Sequence, residues 1–384
     1  MQRADLQQYL LSDRLLADAD IITESAEAYF DLGIEALAGS IPEAADLARN
    51  MSAAPPDQVH RLLSSSALRC AVSELLAAHP AVRGDAASGN ADAQGVLREG
   101  AALLDAPPRT GAALEGDVLP LEGPEGDEFR LWLPRTPGGA AQRLLTRQFE
   151  RSVAVDAPAR IVAGDGVDVS GHVGVLTAAL RLLRAAAPEL TASIGRHVHL
   201  ISVVVPGGVS VRMLSASDST IPGTLFLSVA ALGDRLSAAE AVLHEGTHQR
   251  LYDLMLCRQL YAPRYSPQTS PRVTPPWYAS ESGGGKAWHA DRVLAALHVY
   301  AHLAALWTAA LGRDDVLFPE ERQPVVARLR RCHTRGRYLL ATLRRQMNPV
   351  LGPDGIRLVE FLARVFGDPS TGSRIGPQRI QELA

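Results

Sequence analysis

The sequence predicts an α+β protein, predominantly helical, with a small sheet placed just ahead of a metal-binding helix. Three observations predict it. Apolar residues recur at spacings of three and four through most of the chain, with Ala and Leu dominant, which is the period of a buried helix face. β-Branched runs near the middle, Val198–Val205 and Val209–Leu214, have strand composition instead. Shortly after them, His244-Glu245-Gly246-Thr247-His248 sets two histidines four residues apart with a glutamate between them.

The first 105 residues form the expected helical N-terminal region, with helices over Leu6–Leu16, Ile21–Ala38, Pro42–Met51, Gln58–Ala78 and Ala91–Leu104. No catalytic motif falls among them, and His60 and His79 suit surface or helix-end positions. Residues 106–141 are rich in Pro and Gly and are expected to be a linker with short strands such as Phe129–Leu133. Residues 142–384 are expected to be the metal-binding catalytic domain. It would hold a strand at Ala159–Ala163, a helix at Val173–Ala187, the strand pair, a strand within Pro222–Ser228 and the motif helix. Further helices are expected at Trp288–Leu311, Arg322–Met347 and Ile356–Phe366. No internal repeat of 20–50 residues is present.

The motif helix is expected to begin at Ser237, which with Glu240 makes a capping box. Residues i and i+4 share a helix face, so His244 and His248 can grip one metal ion with Glu245 beside it. Gly246 costs about 1 kcal/mol relative to Ala in a helix, which suits a crowded site. A third protein ligand is needed. The metzincin extension is absent, because Leu251 and Leu254 stand where it requires Gly and His. His298 is the first candidate, facing inward among Leu294, Leu297, Ala301 and Ala305; His302 and Glu281 follow it. The competing role for His298 and His302 is a core histidine bonded to backbone.

Composition bounds the function. At 384 residues the chain can bury a sizeable core, and a net charge of −4 with interspersed signs argues against nucleic-acid binding or an anionic membrane as partner. Three widely spaced cysteines, Cys70, Cys257 and Cys332, fit neither a disulfide framework nor a Cys-rich zinc site, and Cys257 reads as a small buried residue. The polar N-terminus lacks a signal-peptide pattern, so a cytoplasmic protein is expected. Val293–Leu311 is nearly free of charge but contains two histidines, which fits a core helix better than a membrane span. Gly283–Lys286 is not a P-loop, since Ala287 replaces the Ser or Thr that would hold Mg²⁺, and it is expected to be a loop. Tyr261, Tyr265, Trp277 and Tyr278 either line a peptide cleft or pack a long loop. Ser215, Ser217 and Asp218 either bond substrate backbone or make a turn or cap.

Taken together, the strand pair, Pro222-Gly-Thr-Leu-Phe-Leu-Ser228, the H-E-x-x-H helix, a Pro/Tyr-rich loop and Leu297-His298-Val-Tyr-Ala-His302 resemble the H-E-x-x-H family of peptide-modifying proteins from bacterial natural-product clusters. That family is described as 2-oxoglutarate-dependent peptide β-hydroxylases. The likeness covers about residues 195–310 and departs from the family pattern at Val299 and at Trp288–Arg292. It implies a zincin-like metal helix, Fe(II) held by His244, His248 and His298, 2-oxoglutarate as cosubstrate, and a ribosomally made precursor peptide as partner, hydroxylated at a β-carbon. Glu245 would be a neighbouring anion or a direct ligand. Arg292 would take the distal carboxylate of 2-oxoglutarate through a bidentate contact, with Arg344 and Arg345 as substitutes.

Two rival functions use the same residues. In a zinc metallopeptidase, Glu245 is the general base that accepts a proton from metal-bound water, and Glu281 is the third ligand. An extended substrate would then pair along the Gly223–Ser228 strand. In a non-catalytic accessory protein the chain binds peptide and the site is degenerate. Oligomeric state does not follow from the sequence.

Overall fold

The computed structural model describes residues 5–14, 16–79, 91–105, 114–116, 118–121, 129–134, 138–154, 159–162, 169–206, 215–277 and 287–367. In chain order its principal elements are α1 (Asp5–Leu10), α2 (Ala19–Ala38), α3 (Pro42–Ala53), α4 (Pro56–Leu63), α5 (Ser66–Ala78), α6 (Ala91–Asp105), β1 (Val118–Pro120), β2 (Arg130–Trp132), α7 (Ala140–Gln148), β3 (Ala159–Ile161), α8 (Ser170–Ala186), α9 (Pro188–Gly195), β4 (Leu200–Pro206), β5 (Ser215–Ala216), β6 (Thr224–Ser228), α10 (Arg235–Cys257), α11 (Ala290–Leu311), α12 (Arg322–Thr342) and α13 (Pro353–Ala363). The protein is α+β and mostly helical, with one mixed sheet of six strands among the described residues.

Two compact units divide the chain: Ala19–Arg181 with Ile194–Leu256, here the sheet unit, and Met1–Asp18 with Leu182–Ser193 and Cys257–Ala384, here the helical unit. This division departs from the expected boundaries at 105 and 141. The physical reason is a shared core. Phe30, Leu47, Val72 and Leu97 from the N-terminal helices join Leu144 and Phe149 at α7 and Leu200 and Phe226 from the sheet in one buried cluster. Part of the expected linker is therefore sheet: β2 pairs with β4, and Trp132 is fully buried.

In the sheet unit the strand order is β1-β2-β4-β6-β5, with β3 also pairing β4. β4 and β6 run parallel, from Leu200 opposite Thr224 to Val204 opposite Ser228. Every residue of β6 is buried, as a strand covered on both faces requires. β6 is not an open edge for substrate, because β4 takes one side while β5 takes Phe226 and Leu227 on the other. The expected strand Val209–Leu214 lies outside the described residues.

At two helix starts a side-chain cap moves the boundary from the expected place. The run from Gln58 to Ala78 breaks into α4 and α5, because Ser65 Oγ accepts the Leu68 N–H and caps α5. α10 begins before Ser237. The preceding Asp234 has extended backbone, its Oδ1 accepts the Ser237 N–H (2.9 Å), and its Oδ2 accepts the Ser237 hydroxyl (2.7 Å). An acidic side chain is the stronger cap at a helix's positive end, so Asp234 displaces the Ser237–Glu240 box.

In the helical unit, α11 packs along α12 and against α1 and α13. Its composition would allow a membrane span, but 72% of its most apolar window is buried within the protein. Tyr9 ties α1 to α13, donating its hydroxyl to the Phe361 carbonyl (2.7 Å) and stacking on that ring. Cys70 and Cys332 are buried, whereas Cys257 is partly exposed, contrary to expectation.

Candidate metal centre

Helix α10 is buried on nearly every side, and its sequence sorts into stripes. Between Ala241 and Leu254 the only residues not fully buried are His244, His248 and Tyr252, successive i, i+4 neighbours on one face. The imidazoles of His244 and His248 have centroids 5.0 Å apart, and the Tyr252 ring lies nearly parallel to His248 at 6.2 Å. Tyr252 extends the motif's open stripe by one turn, a role that its i+8 spacing from His244 could have signalled.

The neighbouring stripe, Glu245, Gln249 and Asp253, is buried and polar, and each residue fastens the helix elsewhere in the unit. Glu245 Oε1 accepts the Ser215 hydroxyl (2.7 Å), and its Oε2 accepts the Ser217 hydroxyl (2.6 Å). Gln249 Oε1 accepts the Gly223 N–H (2.8 Å), while its Nε2 donates to the Thr224 carbonyl (3.0 Å). Asp253 Oδ2 lies 2.7 Å from His197 Nδ1. Buried polar groups require such partners, so these bonds fix the rotation of α10 and thereby the direction in which His244 and His248 point.

The crowding at Gly246 has another source than a metal. A Cβ there would come within 3.1 Å of Ile194 Cδ1 and 3.4 Å of Val198 Cγ2, so the glycine lets the α9–β4 connection close on the helix. The Ser215 and Ser217 hydroxyls both donate to Glu245 rather than to a turn or cap. Asp218 does make a local turn, its carboxylate accepting from the Thr220 N–H (2.8 Å) and hydroxyl (2.6 Å).

Among the described residues, one group could hold a metal ion: His244, Glu245 and His248, whose ligand atoms all lie within 4.8 Å of one another. His244 Nε2 stands 3.9 Å from Glu245 Oε1; the His244 side chain is 38% exposed and that of Glu245 5%. Two imidazoles and one carboxylate match the donor set of a 2-His-1-carboxylate site, and borderline metals such as zinc also accept it.

The other candidate residues are placed as follows. His298 is buried on α11 in the helical unit and is not a member of this group. His302 has the backbone partner weighed for it: its Nδ1 is 2.8 Å from the His298 carbonyl oxygen, and the two rings meet edge to face at 4.4 Å. Glu281 lies outside the described residues, as do Tyr278 and Gly283–Lys286. Arg292 is exposed, with its guanidinium 4.7 Å above the Trp288 ring. Arg344 is paired with Glu360 (Nε to Oε1, 2.9 Å), and Arg345 is exposed. All these described residues belong to the helical unit. In the same unit Trp277 meets Trp288 and Tyr338 edge to face, and Tyr261 stacks on Tyr265.

Sequence reasoning missed Gln249, Asp253 and His197, because their partners are distant in the chain. No protein-family model matches the sequence, and no curated protein matches it.

Proposed function

We propose that the protein is a metal-dependent oxidoreductase, a hydroxylase that uses Fe(II) and 2-oxoglutarate to modify a residue in a ribosomally made precursor peptide. The H-E-x-x-H helix and the strands before it are taken as a zincin-like core. The family resemblance supplies the substrate and cosubstrate in this proposal. The observation that favours it over peptide hydrolysis is the environment of Glu245.

A general base must reach the water it deprotonates and then carry the proton to the leaving group, so its carboxylate must be able to move. Glu245 is nearly enclosed, and each of its oxygens already accepts a serine hydroxyl. That arrangement suits a fixed anion beside the histidines better than a base. Fe(II), when bound, would supply the oxidative chemistry, activating dioxygen with 2-oxoglutarate as the electron source. His244 and His248 would hold it through neutral imidazoles, with Glu245 contributing charge and a carboxylate oxygen as the third ligand. The buried remainder of α10 keeps these three side chains in place while the half-exposed histidine stripe admits ligands.

The test is anaerobic reconstitution with Fe²⁺, addition of 2-oxoglutarate and dioxygen with candidate precursor peptides, and measurement of succinate and hydroxylated peptide. Zn²⁺ with a peptide-cleavage assay runs in parallel. Succinate and hydroxylated product should appear with iron and disappear in His244→Ala and His248→Ala, while His298→Ala still binds one ion tightly. Cleavage with zinc and no succinate with iron would replace this function with the peptidase.

A further inference from the structure

We infer that Ser215 and Ser217 are positioning residues for Glu245, and that this pair of hydroxyls sets how tightly the site holds a divalent cation. The inference rests on the metal-site reading of His244, Glu245 and His248, but not on which reaction the site performs.

The argument begins with strand geometry. In extended chain, residues i and i+2 project to the same side and the residue between them to the other. Ser215 and Ser217 both reach Glu245, while the intervening Ala216 packs against the hydrophobic cluster of the sheet unit. The Ser-Ala-Ser alternation thus offers two hydroxyls to one carboxylate and a methyl to the core. Backbone pairing pins the register, with Ser215 opposite Leu227 and Ala216 opposite Phe226.

The energetics point the same way. A buried carboxylate is costly unless its oxygens accept hydrogen bonds, and short O–H···O contacts to a carboxylate are among the stronger ones. The contacts at 2.7 and 2.6 Å hold one oxygen each, which leaves the Glu245 side chain little rotational freedom. Ser215 binds Oε1, the same oxygen that stands 3.9 Å from His244 Nε2. Without the hydroxyls the carboxylate could rotate away from the histidines. Groups that orient a metal ligand typically contribute about 10–100-fold in metal affinity.

Co²⁺ serves as the probe, because its visible spectrum reports coordination and calorimetry reports affinity. The full-length wild type, Ser215→Ala/Ser217→Ala, Ser215→Thr/Ser217→Thr, Glu245→Gln and the triple Glu245→Gln/Ser215→Ala/Ser217→Ala would be titrated, with far-ultraviolet circular dichroism confirming the fold. The alanine pair should bind Co²⁺ about 10–100-fold more weakly with an altered spectrum. The threonine pair, which keeps both hydroxyls and suits extended chain, should restore wild-type binding to within a few fold. In the Glu245→Gln background the alanine pair should change nothing further.

Wild-type affinity and spectrum in the alanine pair would overturn the inference while leaving the metal site standing. Equal weakening in the Glu245→Gln background would also overturn it, since the serines would then act without Glu245. A misfolded alanine pair leaves the decision to the threonine pair: failure of a folded threonine variant to bind as wild type counts against the hydroxyls. No Co²⁺ binding by the wild type would remove the metal site and this inference with it.

Discussion

His197 Nδ1 lies 2.7 Å from Asp253 Oδ2 with both side chains buried, joining the approach to β4 to the helix that carries His244 and His248. Burial lowers the His197 pKa from its ordinary value, with Asp253 partly opposing the shift, so the ring is a neutral donor to the carboxylate. The other Asp253 oxygen faces Arg69 at 3.5 Å, and that guanidinium is itself fully buried.

Asp253→Ala should therefore destabilise the protein strongly, by about 3–5 kcal/mol, because it strips a buried cation of a close counter-charge and a histidine of its acceptor. His197→Ala should cost less, since it removes a neutral partner. Urea unfolding of both single variants and the double variant measures this, and the pair should be non-additive. An Asp253→Ala protein within 1 kcal/mol of wild type would show that the cluster contributes little.

Gly223 is a second point where local geometry is decisive. Its φ is +76°, and an added Cβ would lie 2.4 Å from His199 Cδ2 and 3.0 Å from Ser66 Oγ. Both the backbone conformation and the surrounding side chains exclude a larger residue. Gly223→Ala should lose about 1–3 kcal/mol of unfolding free energy in the same assay. A change smaller than about 0.5 kcal/mol, the usual range for a surface substitution, would mean the turn relaxes easily.

Acid sensitivity follows from His333 in the helical unit. Burial, with a smaller contribution from Arg337, pushes its pKa down to about 4 from 6.5. Its Nδ1 has no hydrogen-bond partner among the described residues, and its ring meets Phe366 edge to face. The folded form thus binds the proton less readily than the unfolded form. Stability should fall as pH drops from about 6.5 to about 4 and level off below, a loss of about 3 kcal/mol from this residue. His333→Leu should flatten that part of the unfolding free-energy curve between pH 7 and pH 4. Parallel curves for the variant and the wild type would count against it. His197 and His199, whose pKa values burial also lowers, keep some acid dependence in the variant.

Much of the helix content was legible because it is periodic. α2, α3, α6, α8 and α11 appear close to where three- and four-residue spacing predicts them. Boundaries were less legible wherever a side chain decides them: Ser65 divides one expected helix into two, and Asp234 starts α10 ahead of the Ser237 box. The division of the chain was not legible at all. Phe30 and Phe226 share a core across nearly two hundred residues, and no local pattern announces that.

At the candidate centre, local sequence already places His244 and His248 on one helix face with Glu245 beside them, because 3.6 residues per turn leaves no other outcome once the segment is helical. The packing of strand on helix sets what Glu245 does with its charge, since Ser215 and Ser217 reach it across about thirty residues through a strand pairing. It also decided that Glu245, Gln249 and Asp253 face inward while His244, His248 and Tyr252 remain partly open. Helix periodicity specifies which side chains travel together; buried hydrogen bonds to distant strands and loops specify which way they face.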